Sequence, residues 1–218
     1  MSEAVVSTDR SAAQDDIRDL RRRITALDDD ALGLILTRAR SHYAWTDRPV
    51  TPYQLRRLYD ITRSGATSMN CSPARFIFVT TPEGKARLTP ALKPANVPKV
   101  LGAPVTVIIA QDLRFWERLD TLFPHEDRKP LFRGKDAHIR DTAFRNATLQ
   151  GAYMMIAARA MGLDCGPLSG FDNAAVDQAF LEGTSMTSNF LLNLGYADES
   201  AVYGKLPRLS FEDACSFA

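Results

Sequence analysis

Between Asp141 and Met161 the chain carries Ala143, Phe144, Ala147, Leu149, Ala152, Tyr153, Met154, Met155, Ile156, Ala157, Ala160 and Met161. Wound as a helix, these residues cover nearly the full circumference, and a helix that is apolar all round needs burial on all sides. In 218 residues that leaves two outcomes: a central helix, or one packed against a partner subunit. Gly162 stands where a left-handed cap commonly ends a helix.

The flanking pattern fills in the rest. Ile17, Leu20, Ile24 and Leu27 recur at spacings of three and four, which predicts a helical stretch from Ile17 to Ala39 beyond a polar Met1–Asp16 that is frayed at its start. The run Arg21-Arg22-Arg23 lies among Asp15, Asp16, Asp19 and Asp28–Asp30, so it reads as a compensated solvated face rather than a nucleic-acid contact. Asp28–Asp30 cap a second helix through Leu36. Thr51-Pro52 start another over Tyr53–Arg63, which Ser64-Gly65 end. Strands are predicted at Arg75–Thr80, at Val105–Ala110 (apolar throughout, hence buried on both faces), at Phe190–Leu194 and, short and last, at Arg208–Phe211. Lys85–Leu92 reads as a short helix. Residues 111–140 carry Phe115, Trp116, Phe123 and Phe132 among charges and breakers. They form either a mobile cover over a site or an irregular excursion anchored by its aromatics. No regular βαβ repeat exists, so the class is α+β with a mixed sheet. We divide the chain into an N-terminal helical extension, 1–30, and one domain, 31–218.

Several functions fall away. Lys+Arg 27 against Asp+Glu 26 removes the basic excess of a nucleic-acid binder. No apolar run is long enough for a membrane span, and Glu3, Asp9 and Arg10 do not fit a signal peptide, so a cytoplasmic protein is expected. Cys71, Cys165 and Cys215 are odd in number and scattered. With His42, His125 and His138 they form no ligand pattern, so neither disulfides nor a metal site is expected. There is no GxGxxG, no phosphate loop, and Gly166-Pro-Leu-Ser-Gly170 places its serine one position late for a nucleophile elbow. Redox chemistry here would need a bound cofactor.

Five segments could hold one. Arg40-Ser41 precedes Tyr43-Ala-Trp45. Ala66–Pro73 is a loop of short hydroxyl and amide side chains, suited to a ribityl chain or a phosphate, with a plain hydrogen-bonded turn as the bland alternative. Asn96-Val-Pro-Lys99 puts an amide and an ammonium three residues apart. Gly162–Phe171 holds three glycines that would let backbone N–H groups approach a planar ligand. Lys205-Leu-Pro-Arg208 adds positive charge.

In this order, from about Leu32 to Phe211, the segments resemble the FMN-dependent nitroreductase family. RSHYAW, SGATSMNCSPARF and LGAPVTVIIAQD look most like its malonic semialdehyde reductase branch. The resemblance implies a mixed sheet flanked by helices in an intertwined homodimer, with FMN at the subunit interface. NADH or NADPH would be the co-substrate, exchanging hydride through flavin N5 in ping-pong fashion. It implies that Arg40, Ser41 and Arg208 hold the FMN phosphate, with Lys205 near them. Thr67, Ser68 and Asn70 would face the flavin, partly across the interface. Asn96 and Lys99 would meet the pyrimidine edge, and the backbone of Pro167-Leu168-Ser169-Gly170 the N5 region. A small aldehyde acid such as malonic semialdehyde would need a cation, for which Arg75, Arg133 and Arg140 are candidates. A broad nitro- or quinone reductase, or a non-catalytic flavin-binding dimer, are the alternatives.

The sequence departs from the family in four places. Tyr43 replaces a second basic residue, Ser72-Pro73-Ala74 replaces Gln-Pro-Trp, Ser169 replaces a frequent Glu, and Lys205 stands three rather than two places before Arg208. Met154, Met155 and Met161 read as packing, and Cys71 and Cys165 as small buried filler. His42 is either a phosphate donor or an ordinary turn histidine.

Overall fold

The computed structural model describes residues 10–218; part of the expected frayed N-terminus and of the 1–30 extension lies outside them. Helices α1 (Arg10–Arg23), α2 (Asp29–Leu32) and α3 (Pro52–Thr62) precede strand β1 (Ala74–Val79). Then follow α4 (Pro82–Leu88), α5 (Val97–Gly102), β2 (Val105–Asp112), α6 (Leu119–Leu122), α7 (Asp136–Ala160), β3 (Asp164–Leu168), α8 (Asn173–Phe180), β4 (Met186–Gly195) and α9 (Phe211–Ala214). The strands lie in the order β1-β2-β4-β3, each pair antiparallel. One parallel bridge, Ser41 to Cys165, joins the outer edge of β3.

Alternation along β2 builds two cores. Val107 and Ile109 face Leu55 and Leu58 of α3 and Met154 and Ala157 of α7. Ile108 faces the opposite layer, with Leu88 of α4, Val100 of α5 and Val176 of α8. The strand is therefore buried on both faces, as its continuous apolar run demands.

Helix α7 lies on the sheet through Thr142, Ala143, Asn146, Ala147, Gln150, Gly151, Met154, Ala157 and Ala158, spaced by three and four. Its other face leaves Phe144, Leu149 and Ile156 exposed. Of the two outcomes open to an all-round apolar helix, burial inside this chain is not the one found. The buried face also carries three polar side chains, which the apolar tally passed over.

Start signals behave as their chemistry dictates. Asp28 caps α2 by accepting from Ala31 N at 2.8 Å. Thr51 and Gln54 form a reciprocal capping box at the head of α3, with Pro52 in its first turn.

Three expectations need correction. The helical stretch from Ile17 breaks after Arg23, and residues 33–37 continue α2 with the wider turns of a π-helix; Ile17, Leu20, Ile24 and Leu27 are all exposed. Gly162–Phe171, read as a glycine loop, contains β3. Arg208–Phe211 forms no strand: the tail has no strand neighbour there, and Ser210 instead caps α9.

Residues 111–140 are an anchored excursion. Phe115 and Phe132 are fully buried, their rings edge to face at 5.0 Å, and they pack with Leu119, Ile139 and Cys71.

Candidate flavin site in two halves

The sequence-predicted residues gather in two places. The first is built around β3. His42 N donates to Cys165 O at 2.9 Å, which with the Ser41 bridge lays the 40–45 segment along this edge strand. The approach is close: a Cβ on Gly166 would stand 2.4 Å from His42 O and 3.2 Å from the Trp45 ring. Gly166→Ala is accordingly expected to cost about 3 kcal/mol of folding stability, measured by denaturant unfolding, since the obstacle is backbone and cannot rotate away.

β3 continues through Pro167 and Leu168 and ends before Ser169 and Gly170. Gly170 O accepts from Asn96 Nδ2 at 2.9 Å and from Lys93 N at 3.1 Å. Lys99, one turn along α5 from Asn96, donates to Asn96 Oδ1 at 3.1 Å and lies over the Tyr43 ring, 4.5 Å from its centroid. Tyr43 in turn contacts the ring of Tyr203, and Lys205 Nζ donates to Thr37 O. Arg40, Ser41, Asn96, Lys99, the 167–170 segment and Lys205 therefore share one region, although 165 positions separate Arg40 from Lys205. Leu168 points into the core, so only its main chain could serve a ligand. Arg208 folds back onto Leu206 O and Pro207 O and makes no contact with this group.

A cavity of about 450 Å³ adjoins the same segment, lined in part by Arg38, Arg40, His42, Arg159 and Asp164. His42 Nε2 lies 3.3 Å from Asp164 Oδ1. Burial lowers the His42 pKa, with Arg159 and Arg40 adding to the effect and Asp164 opposing it, so the ring is neutral at physiological pH. Asp164 Oδ2 also accepts from Ala197 N. The histidine is thus a turn residue latched to β3.

The second place is the loop Thr67–Pro73. Met69, Asn70 and Ser72 have φ of 51°, 51° and 40°, left-handed values that non-glycine residues adopt at a cost. The loop is held in that shape from several sides. Asn146 Oδ1 accepts from Ser68 N at 2.8 Å, Gln150 Oε1 from Ala74 N at 2.9 Å, and Thr67 Oγ1 from Ser72 N at 3.1 Å. Asn70 Nδ2 donates to Leu122 O. Asn146 and Gln150 are the functional-site residues that sequence reasoning missed; two buried amides four apart on an apolar helix were the available signal.

Met69 and Cys71 pack with Phe132 and Ile139, and Arg133 and Arg140, the next residues after these two, are exposed. Arg75 does not remain available. Its Nη2 lies 2.6 Å from Asp112 Oδ2 and its Nη1 donates to Ser72 O and Ala74 O. Burial pushes the Cys71 thiol up to about 11 and the Cys165 thiol up to about 12, which keeps both protonated and unreactive at neutral pH. Among the described residues, no group of three His, Cys, Asp or Glu comes together to hold a metal, and no helix is long and apolar enough to cross a membrane.

A four-stranded antiparallel sheet between helical layers defines an α+β protein, with the candidate ligand-binding residues in two places, at the β3 edge and in the strained polar loop before β1. The chain belongs to the nitroreductase family, whose pattern matches residues 36–196. It is 54% identical over 190 residues to a Burkholderia lata protein provisionally named NADH dehydrogenase/NAD(P)H nitroreductase, covering 87% of this chain and 97% of that one. A provisionally named nitroreductase from Exiguobacterium sibiricum, crystallised with FMN, shares the fold at a TM-score of 0.77 and 23% identity, over 88% of this chain and 98% of its own. Bacillus subtilis ydfN, also provisionally a nitroreductase, does so at 0.78 and 16%, over 88% and 100%.

Proposed function

We propose that the chain is an FMN-dependent NAD(P)H oxidoreductase that works as a homodimer. The observation that carries this reading is the β3 half-site, where Lys99, Asn96, Arg40, Ser41 and Lys205 gather and, among the described residues, no carboxylate pairs with Lys99. That donor set fits the group. A cation and an amide three residues apart suit the pyrimidine edge, and the basic residues suit a phosphate. The chemistry FMN supplies when bound is hydride transfer in two halves, from NAD(P)H and then to a second substrate through flavin N5. Lys99 provides fixed positive charge, and Asn96 orients it.

The homodimer reading rests on what one chain leaves uncovered: Phe144, Leu149 and Ile156 on α7, and Tyr203, Leu206, Leu209 and Phe217 along the tail. A partner covering these faces would bring its 67–73 loop, with Thr67, Ser68 and Asn70, to this chain's β3 half-site.

For the substrate we infer malonic semialdehyde, reduced with one hydride and one solvent proton to 3-hydroxypropionate. Arg133 and Arg140 are exposed beside the loop and would receive its carboxylate. The second reading, a nitro- or quinone reductase, is favoured by the name of the Burkholderia relative. The test is a visible spectrum of the purified protein under argon with NADH or NADPH, followed by addition of either acceptor. A yellow chromophore bleached by the nicotinamide is expected, with faster reoxidation by the aldehyde. Faster reoxidation by a nitroaromatic favours the second reading, colour without bleaching a flavin-binding dimer, and a colourless protein that cannot be reconstituted with FMN defeats both enzymatic readings.

A further inference from the structure

Lys85, on α4, is buried and has no carboxylate partner among the described ion pairs. Its Nζ donates to Val100 O at 2.8 Å and to Thr106 Oγ1 at 2.5 Å. Thr106, fully buried on β2, donates onward to Asn193 Oδ1 at 2.6 Å, and Asn193 Nδ2 on β4 donates to Lys99 O at 3.0 Å. The chain begins at a buried ammonium and ends on the two main-chain carbonyls of α5 at the residue that carries the site's cation and the one after it. A six-residue helix cannot satisfy its last carbonyls internally, and its C-terminal end carries partial negative charge. Lys85 and Asn193 supply both the missing donors and the complementary charge. At the other end of α5, Asn96 is tied to Gly170 O.

We propose that Lys85 is a positioning residue: through Thr106 and Asn193 it clamps α5 from within the core, and so fixes Lys99 and Asn96 against the flavin. The inference rests on the flavin reading above. Stability alone does not account for a lysine here. An ammonium without a counter-ion is costly to bury, and an apolar side chain of similar volume commonly serves the core as well or better. Burial depresses the Lys85 pKa to about 8, the mark of that cost. Because the ammonium is retained despite this penalty, its value lies in what it holds.

The test compares Lys85→Met and Thr106→Val with Thr106→Ser, which keeps the hydroxyl, and with Leu88→Ala, a core deletion on α4 that leaves the chain of hydrogen bonds intact. Two readouts are taken: amide exchange of the 97–103 peptide in flavin-free protein, and the FMN dissociation constant and midpoint potential in titrations. Lys85→Met and Thr106→Val are expected to speed exchange of that peptide about tenfold and to weaken FMN binding about tenfold. The potential should fall by about 30 mV, which is a tenfold greater loss of affinity for the two-electron reduced flavin than for the oxidised one. Thr106→Ser should match the parent in all three. Unchanged exchange and potential in Lys85→Met and Thr106→Val would overturn the proposal, as would equal shifts in Leu88→Ala, which would make Lys85 merely structural. If the parent protein binds no FMN, the flavin reading fails first; the exchange data then still report separately whether Lys85 holds α5.

Discussion

Lys99→Met is expected to slow NAD(P)H oxidation about a hundredfold while shifting the melting temperature little. Lys99 is half-buried, and the partners of its ammonium among the described residues are the neutral Asn96 oxygen at 3.1 Å and the face of Tyr43 at 4.5 Å. Neither neutralises it. A charge held ready, partly desolvated and unpaired, stabilises negative charge that develops beside it during reaction, and removing one such preorganised group typically costs about 10²–10³ in turnover. Methionine keeps the length and the apolar stem over Tyr43, so packing is retained and the loss isolates the charge. Lys99→Arg should recover part of the rate, since it restores charge with a different donor geometry. Stopped-flow absorbance of the flavin on mixing with NADH or NADPH measures the step directly. A Lys99→Met protein that fills with FMN and is reduced at the parent rate would remove Lys99 from the site and take the orientation assigned to the β3 half with it.

What the sequence disclosed follows from how local each signal is. Capping residues act within one turn, so the start of α3 at Thr51-Pro52 and of α2 at Asp28 were legible. The β-branched runs of β1 and β2 were legible for the same reason. β3 was hidden because Gly166 and Pro167 argue against a central strand; it is an edge strand, where proline is tolerated, and the required pairing partner lies some 25 residues downstream. The expected strand at Arg208–Phe211 had suitable residues but no strand partner among the described residues, and strand formation is a property of the pair.

The candidate site shows the same division. Asn96 and Lys99 were legible as an amide and a cation one helical turn apart. Their tether to Gly170, and the buried line from Lys85 through Thr106 and Asn193, join residues 21 to 94 positions apart, beyond any periodicity. Arg75 shows the converse: a cation in a plausible segment proves committed once the neighbouring strand brings Asp112 within 2.6 Å. Asn146 and Gln150 disappeared into an apolar helix because composition was summed over the whole circumference instead of by face.

A heterodimer of one Lys99→Met chain and one Asn70→Gly chain is expected to recover about half the parent activity, although each homodimeric variant is nearly inactive. The reason lies along α7. Ser68 N is fixed to Asn146, while Arg159, thirteen residues further along the helix, donates to Arg40 O. At about 1.5 Å per residue, the two anchoring points stand roughly 20 Å apart along the axis. The strained loop and the β3 half of one chain thus sit at well-separated places, whereas a two-fold partner can bring its loop to the other's β3 edge. In a mixed dimer, one site then receives Lys99 and Asn70 both intact and the other receives neither, which leaves one working site of two. Glycine suits the left-handed backbone at position 70 (φ 51°), so this substitution removes the amide without adding strain. Purification through two different affinity tags, followed by NAD(P)H oxidation and flavin content per dimer, provides the measurement. If the mixed dimer only averages the two inactive variants, each site is made within a single chain; because Asn70 and Lys99 would then have to meet across one subunit, the divided-site reading would be lost with the intertwined dimer.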